Sequence, residues 1–377
     1  MKRRALIAVP ALLAVLAGTA YAGTAIMDVP PPHTLYRVQT TEPSRWGDLF
    51  PARAVAAPAR ATPLAAAAAP RVPATVPWKG ARIPFTEFLD TTHTNAFLVL
   101  RDGAIEYEWY RAGITPGTRL SSWSMAKSVV SLLVGQAVAR GELAEDDRLV
   151  DLLPELRTGG DYDRITVRDL LDMASGVDVP ENYRAYWPFT GTARMYLTHD
   201  LPGFVAGHRE VTYPPGSRAS YRSVDTQILG LVLTRVTGRP LADLLAERIW
   251  QPMGAEQSAT WNLDRPGGTE KAYCCLNATA RDYARLGQVV LDGGREIVPA
   301  EWIKRIATPA PHDLSGWGYS AQWWHPFDSG GDYSALGIHG QYLYVSPARR
   351  TVVVKLSDHG TEQDEQETFE VLRALPG

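Results

Sequence analysis

Ser124 and Lys127 stand three residues apart in Ser121-Ser122-Trp123-Ser124-Met125-Ala126-Lys127, at the head of a nearly all-apolar run. On a helix, such residues share almost one face, roughly 4.5 Å apart along the axis. A serine hydroxyl is a weak nucleophile until a neighbouring base takes its proton. A lysine does this near neutral pH only if its pKa falls by about three units, or about 4 kcal/mol of differential interaction. Burial and the positive end of a helix both push in that direction. The pair is therefore a candidate nucleophile and general base. The spacing alone is weak evidence, because a capped helix with a surface lysine has the same pattern.

Two later segments add chemistry. Tyr221-Arg222-Ser223 follows a Pro-Gly turn and precedes a helical pattern, so a phenol stands where it can pass a proton, with Ser223 beside it. Ile338-His339-Gly340 leads into the strand-like run from Gln341. A glycine there would let a ligand approach the backbone closely, and His339 reads as a pocket residue. Other residues carry two readings each. Tyr183 and Trp187 lie in an aromatic, turn-rich stretch that is either a substrate wall or a loop packing its rings inward. Asn277 either hydrogen-bonds substrate or caps the helix that follows it. Trp323 and Trp324 are adjacent on a strand, so at most one faces a pocket. No G-x-S-x-G elbow and no H-E-x-x-H spacing occurs, which argues against an α/β-hydrolase and against a metal site.

The elements that position these residues follow from periodicity and punctuation. The apolar run predicts a buried helix over 124–140, capped by Gly141. Two apolar runs flanking Arg101-Asp102-Gly103 predict a β-hairpin. The middle of the chain is mostly helical, including a Thr166-capped start and helices closed by Gly238 and Gly254. The last hundred residues turn to strands and end in a helix. Strands at both ends with helices between predict an α+β fold: an antiparallel sheet formed by both chain ends, flanked by helices, with an inserted mostly helical subdomain.

A net charge of −3 over 377 residues gives no electrostatic case for nucleic acid. Met-Lys-Arg-Arg, an 18-residue apolar run over 5–22 and the Ala20-Tyr21-Ala22 site read as a secretory signal peptide, or as an anchor if uncleaved. Either way the remainder is expected outside the cytoplasm, in periplasm or medium, touching membrane only through an uncleaved segment. Residues 23–77 are rich in Ala and Pro and read as a linker, leaving 78–377 as the folded domain. Cys274 and Cys275 are adjacent, and neighbours do not readily meet ordinary disulfide geometry, so two buried thiols are expected.

S-x-x-K, then Tyr-x-Ser, then a glycine-containing strand resembles the serine β-lactamase and penicillin-binding-protein superfamily. The segments "SMAKS", "DLLDMASGVD", "YRSVDTQILGLVL", "ATARDYARLGQVVLDGG" and "GIHGQYLYVSP" are similar, in order, to its class C-related branch of esterases, D-aminopeptidase-like enzymes and aminohexanoate-dimer hydrolases, above all the last. The resemblance implies a serine hydrolase cleaving a small amide or ester without metal or organic cofactor. Ser124 would be nucleophile, Lys127 base and Tyr221 proton relay. The backbone N–H groups of Ser124 and Gln341 would form the oxyanion hole, and Ser223, His339, Gly340, Tyr183, Trp187 and Asn277 would bind substrate. Ile338-His339-Gly340 replaces Lys-Thr-Gly, removing a cation that would hold a β-lactam carboxylate. A cell-wall D-amino-acid peptidase, or a catalytically silent binding protein on the same fold, is the alternative.

Overall fold

The computed structural model describes residues 2–68, 71–183, 190–326, 330–360 and 363–375, with side chains from residue 12 onward. The strands that bear on the site are β1 (Ala52–Val55), β2 (Ala65–Ala66), β3 (Thr94–Arg101), β4 (Ala104–Tyr110), β5 (Leu120–Ser121), β6 (Ala259–Asn262), β7 (Leu276–Ala278), β8 (Gly318–Ser320), β9 (Trp323–His325), β10 (Tyr333–Gly337), β11 (Gln341–Ser346) and β12 (Thr351–Ser357). The helices are α1 (Lys2–Ile26), α2 (Pro32–Thr40), α3 (Met125–Ala139), α4 (Gly191–Leu197), α5 (Ser223–Thr237), α6 (Ala280–Leu291) and α7 (Glu365–Ala374).

The main sheet runs β8-β9-β10-β11-β12-β3-β4-β2, antiparallel except where β2 lies along β4. At its centre β12 pairs with β3, from Thr351 opposite Arg101 to Leu356 opposite Ala96. The two ends of the chain thus build one sheet, as the order of patterns predicts. The β3–β4 hairpin closes on Asp102 and Gly103 with φ of 48° and 82°, the left-handed pair that a tight hairpin turn requires.

Strand alternation sorts the core. Ala96, Leu98 and Leu100 of β3 face the helical side, whereas Phe97 and Val99 face Phe369, Val371 and Leu372 of α7. On the helical side α6 lies close to the sheet at Gly287. A Cβ there would sit 2.6 Å from Val352 and 2.7 Å from Leu343, so glycine sets the approach. Helix α3 is buried from Met125 to Ala137 and shares its core with α5, as its scarcity of polar positions predicts. Thr166 forms a capping box with Asp169, and Gly238 ends α5 in the left-handed region.

Residues 32–55 are not the linker expected from composition. Helix α2 leads into a 3₁₀ turn (Pro43–Leu49), and β1 then pairs with β6 in a second sheet of order β1-β6-β7-β5. Ser44 donates from N and Oγ to the Asp358 carboxylate at 2.7 and 2.9 Å, and Asn262 Nδ2 donates to the carbonyls of Gly47, Phe50 and Pro51. The Ala/Pro average hides a few large side chains, Val38, Trp46 and Phe50, which are enough to dock a strap on a surface that already exists.

The two cysteines also differ from expectation. Cys274 and Cys275 are joined to each other as a disulfide, and Cys275 has a φ of 70° in the turn before β7. Among residues whose side chains are described, no helix is long and apolar enough to cross a membrane.

Candidate active site

Pairing of β5 with β7 and the turn through Trp123 (φ 47°) bring Ser124 to the N-cap of α3. Its hydroxyl caps nothing. Instead Lys127 Nζ donates to Ser124 Oγ at 3.0 Å and to the Tyr273 carbonyl at 2.9 Å. Lys127 is 2% exposed, and its ammonium lies 5.0 and 5.6 Å from the ring centres of Tyr221 and Tyr273. Burial lowers its pKa to about 7, against an opposing pull from the Glu181 carboxylate. The costly lysine of the sequence is thus held in the low-pKa state a base needs.

Tyr221 completes the group. Its ring stacks on Trp324 with centroids 5.5 Å apart, and the nearby Ser124 hydroxyl favours the phenolate against burial. Burial, reinforced by Glu181, raises its pKa far above the usual tyrosine value, so the phenol keeps its proton. Trp323 is fully buried on the opposite side of the strand, as alternation requires.

The third segment needs correction. Ile338 and His339 line the same cavity as Ser124, but Gln341 and Gly340 do not. Gln341 is fully buried opposite Gly337, and its side-chain amide donates to the carbonyls of Ile338, His339 and Ser357. It braces the hairpin from behind. Gly340 turns away toward Ser357, His359 and Lys355. Gly337 is the residue packed against the start of α3, where a Cβ would come within 2.5 Å of the Ser122 carbonyl. Gly337, not Gly340, is therefore the glycine beside the start of α3, and the three residues that end on it, Ala335-Leu336-Gly337, include no lysine. Ser124 and Ile338 both line the cavity, and the backbone N–H of neither donates to another group among the described residues. Sequence could not fix this register, because the Gly337 and Gly340 glycines read alike.

The remaining expectations divide. His339 is in the cavity, edge-on to Trp123 at 4.9 Å, and burial lowers its pKa so that it stays neutral. Ser223 opens α5 and lines the cavity; its N–H and hydroxyl both donate to Glu181. Tyr183 lines it too, with its hydroxyl on Glu181. Trp187 lies outside the described residues. Asn277 does not reach the cavity. It is buried on β7, its amide donating to the Cys275 carbonyl and Asn262 Oδ1, and its Oδ1 lies where a Cβ on Gly47 would stand. The cap of α6 is Thr279, not Asn277.

Several cavity residues escaped the sequence reading. Trp123 is adjacent to Ser124 and was there to be found. Tyr196 and Tyr273 come from segments without a motif, and Val38 and Trp46 come from the supposed linker. Among the described residues, no cluster of three His, Cys, Asp or Glu could hold a metal.

The Beta-lactamase family model matches residues 85–375. The chain is 30% identical over 296 residues to the 6-aminohexanoate-dimer hydrolase of Paenarthrobacter ureafaciens, covering 71% of this chain and 74% of that protein. It is 31% identical over 149 residues to Esterase EstB of Burkholderia gladioli, 35% of this chain and 36% of that one. A solved Bacillus anthracis structure assigned as a 6-aminohexanoate-dimer hydrolase superposes with a TM-score of 0.78 at 23% identity, covering 92% of this chain and 96% of that one.

Proposed function

The chain belongs to the β-lactamase family of serine hydrolases, and from that premise we propose that it cleaves a small amide or ester through an acyl-enzyme on Ser124. The observation that carries this reading is the buried Lys127 amine 3.0 Å from Ser124 Oγ with a pKa of about 7. In the first step Lys127 takes the Ser124 proton while Oγ attacks the carbonyl carbon. The negative oxygen that forms is held by the backbone N–H groups of Ser124 and Ile338; one such donor contributes about 3 kcal/mol. Collapse breaks the bond to the leaving group, which receives its proton through the Tyr221 phenol from Lys127. Water then attacks the acyl-enzyme, gives its proton to Lys127, and the acid leaves as Ser124 Oγ is reprotonated.

This division of labour is tested at Tyr221. A p-nitrophenolate leaves without a proton, whereas an amide nitrogen does not. Tyr221→Phe should therefore lower kcat/KM for an anilide or alkyl amide roughly tenfold or more beyond its effect on the matching p-nitrophenyl ester. Equal losses on the two substrates would contradict the relay.

The protein is further proposed to act outside the cytoplasm. The support is the basic Met1–Arg4 segment, the apolar run after it and the Ala20-Tyr21-Ala22 site. N-terminal sequencing of the exported protein should begin at Gly23. An intact Met1 terminus in the membrane fraction would favour an anchor instead.

A further inference from the structure

We propose that the strap formed by residues 32–50 is part of the substrate site, and that Trp46 sets the length of an uncharged, apolar acyl group bound beside Ser124. The inference rests on the serine-hydrolase reading and names its substrate class.

The cavity at Ser124 has a volume of about 100 Å³, and its walls include Val38, Trp46, Trp123, Tyr196, Leu197 and Cys274. Trp46, Trp123 and Tyr196 form a box: Trp46 lies 5.1 Å from Trp123 and 5.8 Å from Tyr196, and Trp123 stacks on Tyr196 at 6.0 Å between ring centroids. Among the described residues, no Asp, Glu, Lys or Arg lines this cavity. Glu181 stands just behind Ser223 and Tyr183, and Lys127 behind Ser124. A charged acyl chain against the rings of Trp46, Trp123 and Tyr196 would lose hydration without pairing directly with a lining residue, whereas an apolar chain gains by burial.

The strap is fastened so that Trp46 stays in place. Its indole N–H donates to the Thr41 carbonyl at 2.9 Å. Asp358 holds Ser44, Asn262 holds the carbonyl of Gly47, and Asn277 Oδ1 fills the space a side chain at position 47 would need. Behind the box, the Lys271 amine lies 4.0 and 4.2 Å from the ring centres of Phe50 and Tyr196, bonding the Tyr196 carbonyl. These latches join the strap to β6, β7 and the chain just after β12, and Lys271 links it to Tyr196 of α4.

The chemistry decides which half of the substrate enters. A leaving group must reach the Tyr221 phenol, and Tyr221 packs against Trp324 and is not among the box walls. The leaving group is therefore assigned to the Tyr221 phenol and the acyl half to the box.

The test compares kcat/KM for p-nitrophenyl acetate, butyrate, hexanoate and octanoate, alongside acetate esters of alcohols of increasing length. The wild-type protein should fall off sharply between butyrate and octanoate. Trp46→Ala should raise the octanoate-to-butyrate ratio about tenfold, and Trp46→Phe should shift it less in the same direction. A shift seen only in the alcohol series, or an unchanged acyl ratio in both variants, overturns the proposal. So does a preference for the 6-aminohexanoyl ester over the hexanoyl ester, since the two have similar length and differ in charge. Binding of hexanamide to Ser124→Ala, followed by tryptophan fluorescence, separates the box from the chemistry. Trp46-dependent binding by a protein whose wild type turns over no ester would leave the box standing and remove the hydrolase reading. Binding that Trp46→Ala leaves unchanged would remove the box.

Discussion

Ser124→Ala should lower kcat/KM for every ester and amide by roughly 10⁴-fold or more, the scale at which removing a nucleophile that acts in concert with its base is felt. The fold should barely notice. Ser124 Oγ caps no helix, and its partner Lys127 keeps the Tyr273 carbonyl at 2.9 Å. The thermal stability of the variant should stay within about 1 kcal/mol of wild type, as for substitutions that open no cavity and orphan no buried charge. Steady-state kinetics on the purified variant, read beside its melting curve, decide the matter. Retained turnover in a folded protein would mean that another residue is the nucleophile.

Lys127→Ala should cost roughly 10³-fold or more at neutral pH, within the upper range expected of a single acid–base group. The pH dependence is the more specific signature. A base must be unprotonated to act, and Lys127 is held at a pKa of about 7. The value of kcat/KM for p-nitrophenyl acetate should therefore rise through about pH 7 and level off above it. The Glu181 carboxylate favours the ammonium and holds this pKa up. Glu181→Gln removes that charge, so the lysine should lose its proton at lower pH and the acid limb should move down. An upward shift, or a limb that survives in Lys127→Ala, would contradict the assignment of Lys127 as base.

The chemistry was more legible than the cavity. Ser124, Lys127 and Tyr221 were readable because each has a type and spacing tied to a helix start or a turn, and local rules place those. The sheet from both chain ends is readable because the continuous apolar runs within 94–101 and 351–357 mark strands buried on both faces. What failed depended on contacts far apart in the chain. Trp46 looked like part of an Ala/Pro-rich linker because its partners, Trp123 and Tyr196, lie far along the sequence. Asn277 looked available to substrate because nothing local shows that Gly47 lies against it. The sequence points to Gln341 because it follows Gly340, just as Ile338 follows Gly337. Only the approach of Gly337 to the Ser122 carbonyl tells them apart.

The central claim is a covalent acyl-enzyme on Ser124, and intact-protein mass spectrometry with peptide mapping addresses it most directly. Wild-type protein treated with a fluorophosphonate probe, or quenched during turnover of a slow p-nitrophenyl ester, should carry one added group, on the peptide containing Ser124. Ser124→Ala should carry none. A wild-type protein that hydrolyses the ester without taking the label, or a label that persists on another residue in Ser124→Ala, would contradict the account.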